Sequence, residues 1–226
     1  RRVLFRSQLG YALPKNLTEK LGGVGSVRFT ITAANLFTIT GPISPSIFTN
    51  VIIGFLMVGS FSGVEVGAVA VADKAVAGLV LAALSVGSIL GGLLLGNRAK
   101  TKWALTKFLS IIAAGYLLYL VNPSDPLWMA ITFFIAGLGV APAFAVLAAT
   151  IANNIKMNDT AEAYGWINTG QLMGYSAGAA MAGIAIDVVA PTAAMSVSMV
   201  FGIAAVIVAL ITVSITPVFG KTKADK

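Results

Sequence analysis

The chain has 226 residues, 58% of them hydrophobic and only 10% charged, with 15 Lys and Arg against 8 Asp and Glu. Together with a mean hydropathy of +0.92, this excludes a water-soluble domain, whose surface needs far more charge. The absence of Cys and His removes disulfides, thiolate nucleophiles, Ser-His triads and the usual zinc ligands, so the chain reads as a non-enzyme with no metal or cofactor.

Residues 1–7, Arg1-Arg2-Val3-Leu4-Phe5-Arg6-Ser7, read as the translated end of a sequencing adapter and are set aside from fold reasoning. No initiator Met or signal peptide precedes the apolar runs, so a fragment lacking its upstream half is expected. Residues 8–47, with Gly22, Gly23, Gly25, Pro42, Pro45 and several Thr, read as a cytoplasmic linker. Within it, contact of Phe29 to Thr40 with the membrane surface is the alternative.

A bilayer core about 30 Å thick takes roughly 20 apolar residues of helix. Six such runs follow: Phe48 to Val71, Ala75 to Gly96, Trp103 to Val121, Leu127 to Ala152, Glu162 to Ile186 and Thr192 to Thr216. The predicted fold class is therefore an all-α membrane protein, with six transmembrane helices forming one bundle over residues 48–216 and a basic tail at 217–226. On the side of the tails lie Lys15, Lys20, Arg28, Arg98, Lys100, Lys102, Lys107, Lys156, Lys221, Lys223 and Lys226; the opposite side has Lys74 alone. The positive-inside bias then puts both ends in the cytoplasm of a cell whose inner membrane the chain spans. A basic excess confined to loops orients a membrane protein, so the net charge of +7 implies lipid rather than nucleic acid as partner.

Small residues recur at four-residue spacing on the first helix (Gly59, Gly63, Gly67), the second (Ser88, Gly92, Gly96) and the fifth (Gly170, Gly174, Gly178). In lipid, such faces let backbones meet, in fixed packing or in faces that slide. Pro142, in the run from Gly137 through Gly139, removes a backbone hydrogen bond and predicts a kink or a passive bend in the fourth helix; Gly139 and Pro142 are thus the candidates for a gating break. Trp103, Trp128 and Trp166, near span ends, are expected interfacial anchors.

Glu65 is the one acid well inside a predicted span, roughly 10 Å from the outer end of its helix. At that depth it takes up a proton, meets a cation in a watery cavity, or hydrogen-bonds another helix. Asn168, Gln171 and Tyr175 fall on one helical face and, with Thr169, Ser85, Ser88, Tyr116 and Tyr119, are the candidates to line a cavity or to bond between helices. Asp73, Asp125 and Asp159 lie in loops and Glu162 and Asp187 at helix ends, where solvated or capping roles are expected. No phosphate-binding loop occurs, so any driving energy comes from an ion gradient.

The run from Gly63 through Glu65 and Gly67, the stretch Ser85 to Arg98, the Gly137 to Pro142 segment and Glu162 to Trp166 resemble the C-terminal six helices of a bacterial major facilitator superfamily transporter. The resemblance covers about residues 48 to 216. Gly92 to Lys102 is similar to the family's cytoplasmic signature, Gly-x-x-x-Asp-Arg-x-Gly-Arg-Arg, but Gly96 and Asn97 stand where it has its acid and first base, and Ala99 replaces a Gly. Arg98, Lys100 and Lys102 keep its positive charge. The resemblance implies alternating access, a partner six-helix half upstream, a small-molecule substrate, and protons or another coupling ion handled at Glu65. It also implies efflux by antiport. A six-helix scaffold or assembly partner without transport is the alternative.

Overall fold

The computed structural model describes residues 6–12, 28–34, 45–98, 101–154 and 160–215. They fall into two units that divide between Ile43 and Ser44. In the first, strands β1 (Arg6–Ala12) and β2 (Arg28–Ala34) pair antiparallel, with Leu9 opposite Ile31. A ribbon is more ordered than the connecting chain its glycines and prolines suggest, and the reason is local. Phe29-Thr30-Ile31-Thr32 is an unbroken aromatic and β-branched run, which fits a pleated strand.

The second unit is helical throughout. Its long helices are α1 (Pro45–Val71), α2 (Lys74–Leu95), α3 (Ala104–Leu118), α4 (Pro126–Asn154), α5 (Thr160–Val188) and α6 (Ala194–Ile215). Short 3₁₀ turns extend α2 and α3 and precede α6. Five of the six are long and apolar enough to cross a membrane. The exception, α5, has the length at 29 residues but carries Glu162, Asn168, Thr169, Gln171 and Ser176 along it. Length and composition thus give five spans among the described residues, against the six expected.

Polar residues set the helix boundaries. Asp73 Oδ1 accepts from the backbone N–H of Ala75 and Val76 at 3.0 and 2.9 Å, capping α2 where the first N–H groups have no partner of their own. Asp125 does the same for Leu127 at the start of α4. Trp128 donates its indole N–H to the Leu118 carbonyl at 2.9 Å, closing the α3–α4 turn. At the end of α3, Tyr119 is buried against Phe133.

Packing follows the small residues. Helix α1 lies along α5 and α6, and α2 lies along α4, which also packs on α3. Gly174 sits against the Phe55 carbonyl, Gly178 against the carbonyl of Gly59 and the hydroxyl of Ser62, and Gly170 against Val51. On the other pair, Gly87 meets the Phe134 carbonyl and Gly137 the Leu84 carbonyl, their Cα atoms nearly touching. Every one of these sites would collide with a neighbour if a Cβ were added, so the two helix pairs stand at backbone contact. Since lipid tails are as apolar as Leu, the hydrophobic force that drives a soluble core together is missing, and van der Waals contact at this close approach takes its place.

Tyr116 and Tyr119 are buried at 1% and 2% exposure in the core with Phe133, Met57 and Ile112. Of the two roles expected for them, Tyr116 takes the bond between helices, its hydroxyl 3.4 Å from that of Ser60 on α1. Pro142 leaves α4 running as one helix from Pro126 to Asn154. The carbonyl it frees, four residues back at Leu138, lies against the Cα of Gly91 on α2. Gly91 thus covers the freed carbonyl where no N–H meets it. Gly139 is buried beneath the Phe108 carbonyl and Ile112 of α3. Pro142 is buried as well.

Candidate functional site

Glu65 stands on α1, six residues before that helix ends, and its side chain is exposed on the bundle surface. Its Oε2 accepts a hydrogen bond of 2.5 Å from the hydroxyl of Tyr175 on α5. The glycines make this pair. With Gly174 pressed on the Phe55 carbonyl, the next residue emerges at the rim of the α1–α5 contact, and its phenol reaches along α1 to the carboxylate.

From Tyr175 a stripe runs back along α5 through Gln171, Asn168 and Tyr164, at spacings that keep all four on one helical face over roughly 16 Å. Gln171 lies half-buried with its chain across Gly54 of α1, where a Cβ would come within 3.1 Å of Cγ. Asn168 is exposed. Gln171, Asn168 and Tyr164 form one wall of a cleft of about 580 Å³ whose other wall is Phe144, Leu147 and Ile151 of α4. Helices α4 and α5 barely touch elsewhere, which is why space opens between them. The Tyr164 hydroxyl, 3.4 Å from the Ala148 carbonyl, ties its two sides together.

The other polar residues on α5 have different duties. Thr169 and Ser176 return their hydroxyls to carbonyls four residues back, at 2.9 and 3.0 Å, so each is satisfied within its own helix. Ser85 does likewise to Leu81. With Ser88, Phe61 and Val140 it lines a smaller hollow of about 260 Å³ bounded by α1, α2 and α4. Among the signature residues, Gly92 faces Ala141 of α4, where an added Cβ would stand a tight 3.2 Å from the alanine methyl, Arg98 ends a 3₁₀ turn, and Lys102 is exposed. Lys100 lies outside the described residues, as do residues 1–5 of the adapter-like segment, Lys15, Lys20, Lys156, Asp159 and the tail from residue 217.

The bundle shares its fold with a solved structure. It superposes on the crystal structure of an auto-inhibited POT family peptide transporter with a TM-score of 0.64 at 14% identity, over 78% of this chain and 39% of that one. The chain spans about two fifths of that transporter's length. No protein-family model matches the sequence, and no curated protein matches it.

Sequence reasoning named Glu65, Asn168, Gln171 and Tyr175, and the structure brings them to one side of α5 in two groups: the carboxylate with the phenol, the two carboxamides with the cleft. It did not name Tyr164, Phe144 or Ile151. Tyr164 was within reach, four residues before Asn168 on the same face. The α4 residues were not, because nothing in an apolar run distinguishes a cleft wall from a lipid contact.

Proposed function

We propose that this chain is one half of a secondary transporter of the major facilitator type, moving a small molecule across a bacterial inner membrane by alternating access. In this reading α5 crosses the bilayer as the sixth span, both ends are cytoplasmic, and a six-helix half encoded upstream completes the path. Transport runs outward in exchange for protons, which Glu65 takes up and releases.

The observation that carries the reading is a polar face where lipid would disfavour one. Glu65, Asn168 and Tyr175 are all exposed on the outside of an otherwise apolar bundle. An ionised side chain at the middle of a span costs about 2.5–3.5 kcal/mol on insertion scales, so such a face belongs against water or a second bundle. With a half-protein opposite, the same residues line a solute path near the membrane centre. The fold shared with a peptide transporter supports this; the coupling role of Glu65 rests on its depth and on its Tyr175 partner.

The test is flux through the full-length parent in proteoliposomes, with and without an imposed pH gradient. Gradient-driven flux in the wild type that falls at least about tenfold in Glu65→Gln is expected, since a carboxamide keeps the shape and loses the proton. Flux that ignores both the gradient and the substitution removes the coupling assignment, and no flux at all favours a scaffold.

A further inference from the structure

We infer that the outward face at the start of α3 holds one anionic phospholipid, gripping its phosphodiester headgroup and seating an acyl chain along the helix. The site is separate from the Glu65 face and does not depend on transport. It requires only that the bundle lie in lipid.

Helix α3 packs on α4 and α6, with Leu105, Phe108, Leu109 and Ile112 turned inward. On its other side Trp103, Lys107, Ser110, Ala114 and Leu117 follow one another at three- and four-residue steps, and all are exposed. Lys102, also exposed, stands just before them. Their polar groups are left over. Among the described residues no carboxylate pairs with Lys102 or Lys107, and neither the Trp103 indole nor the Ser110 hydroxyl has a hydrogen-bond partner. Elsewhere in the bundle the same groups are satisfied within the chain. Trp128 donates to the Leu118 carbonyl, and Ser85, Ser176 and Ser196 donate to carbonyls three or four residues back.

All four side chains can donate and α3 carries no acid, so the partner they fit is a negatively charged acceptor. Depth selects a lipid over a free phosphate ion. Lys107 lies roughly 5 Å inside the start of the span at Ala104, and Ser110 roughly 5 Å beyond it. A lysine stem carries its ammonium back toward the interface, where Lys102 and the Trp103 indole also stand. Ser110 stays below, at the level of the glycerol esters once a phosphate is held above it. Past Ser110 the face is small at Ala114 and then apolar at Leu117 and Val121, which leaves an acyl chain room against the helix. A free phosphate ion reaches the lysines and gains nothing from the rest. The positive-inside bias accounts for basic turns, but not for a lysine within the span beside unpartnered donors.

Native mass spectrometry of the purified chain, released from micelles holding equal amounts of dioleoyl phosphatidylglycerol and dioleoyl phosphatidylcholine, reads the selectivity. The two lipids share phosphate, glycerol and chains and differ in net charge. One retained phosphatidylglycerol per chain, preferred about tenfold or more, is expected, the scale of two lysines beside an anionic lipid. Lys102→Gln combined with Lys107→Gln should remove the preference. Ser110→Ala should lower phosphatidylglycerol retention about threefold or more at unchanged charge, as loss of one hydrogen bond does. Lys74→Gln, which removes an exposed cation at the far end of α2, should change nothing, and added inorganic phosphate should leave the lipid in place. Where the double variant no longer elutes as a single species, Lys107→Gln alone carries the charge test. Equal retention of the two lipids overturns the site, as does a preference that survives loss of the lysines or falls as far with Lys74→Gln. Undiminished retention in Ser110→Ala, or displacement by inorganic phosphate, overturns it too.

Discussion

Single residues in this bundle matter according to what stands opposite them, and glycine shows it best. Gly174 and Gly183 lie on the same helix nine positions apart, yet a Cβ at Gly174 would overlap the Phe55 carbonyl while one at Gly183 meets nothing within 4 Å. Gly174→Ala should therefore destabilise the fold by about 1–3 kcal/mol, the cost of forcing packed backbones apart. Gly183→Ala should be neutral or stabilise by up to about 1 kcal/mol through helix propensity. Unfolding of both variants in mixed micelles checks the contrast, and equal effects would show that the α1–α5 contact is looser than described. Sequence spacing alone puts Gly170, Gly174 and Gly178 on a packing face. It cannot say that the partner surface is Val51, Phe55 and Gly59, because that choice depends on a helix more than 100 positions away.

At the scale of elements, the pairing of α1 with α5 creates the site, and the absence of native Cys makes it directly testable. Gly54 and Gln171 face each other across the contact, the added Cβ and Cγ 3.1 Å apart. Gly54→Cys combined with Gln171→Cys should form a disulfide on mild oxidation, since Cβ atoms about 3.5–4.5 Å apart suit one. Gly54→Cys with Gly183→Cys, three turns further along α5, should not. A mobility shift on a non-reducing gel reads the result, and cross-linking in both pairs or neither would contradict the register. Helix α4 makes a complementary point about breaks. The proline predicts a kink by its chemistry, yet the freed Leu138 carbonyl is covered by Gly91 and the helix continues. A neighbour without a side chain can come close enough to cover the carbonyl that the proline leaves without its N–H.

For the whole molecule, the open matter is the passage of α5 through the bilayer. If it crosses, the turns at Asn122 and Val189 lie on one side and that at Thr101 on the other. Asn122→Cys and Val189→Cys should then react with a membrane-impermeant thiol reagent from outside intact cells, while Thr101→Cys should react only after the membrane is opened. Labelling of Asn122→Cys without Val189→Cys would mean that α5 turns back. Apolar composition is a weak guide for this helix, because two of the residues that lower its hydropathy, Asn168 and Gln171, line the cleft and two more, Thr169 and Ser176, satisfy their hydroxyls within the helix itself.

What the sequence determined by itself is the solvent and the elements. The long apolar runs demand lipid, and Asp73, Asp125 and the prolines and asparagines between runs place the helix ends within a few residues, since these signals act over one turn of chain. The candidate polar residues were legible too, because an acid or carboxamide inside an apolar run is conspicuous. Only the tertiary structure decided that Tyr116 is core and Tyr175 is a partner of Glu65, that the carbonyl freed by Pro142 is covered by Gly91, and that an unremarkable stretch of α4 forms a cleft wall. Each of those depends on which backbones come into contact across long stretches of sequence. Periodicity fixes which residues share a face of one helix, but the depth and partner of that face are set by the helix it meets.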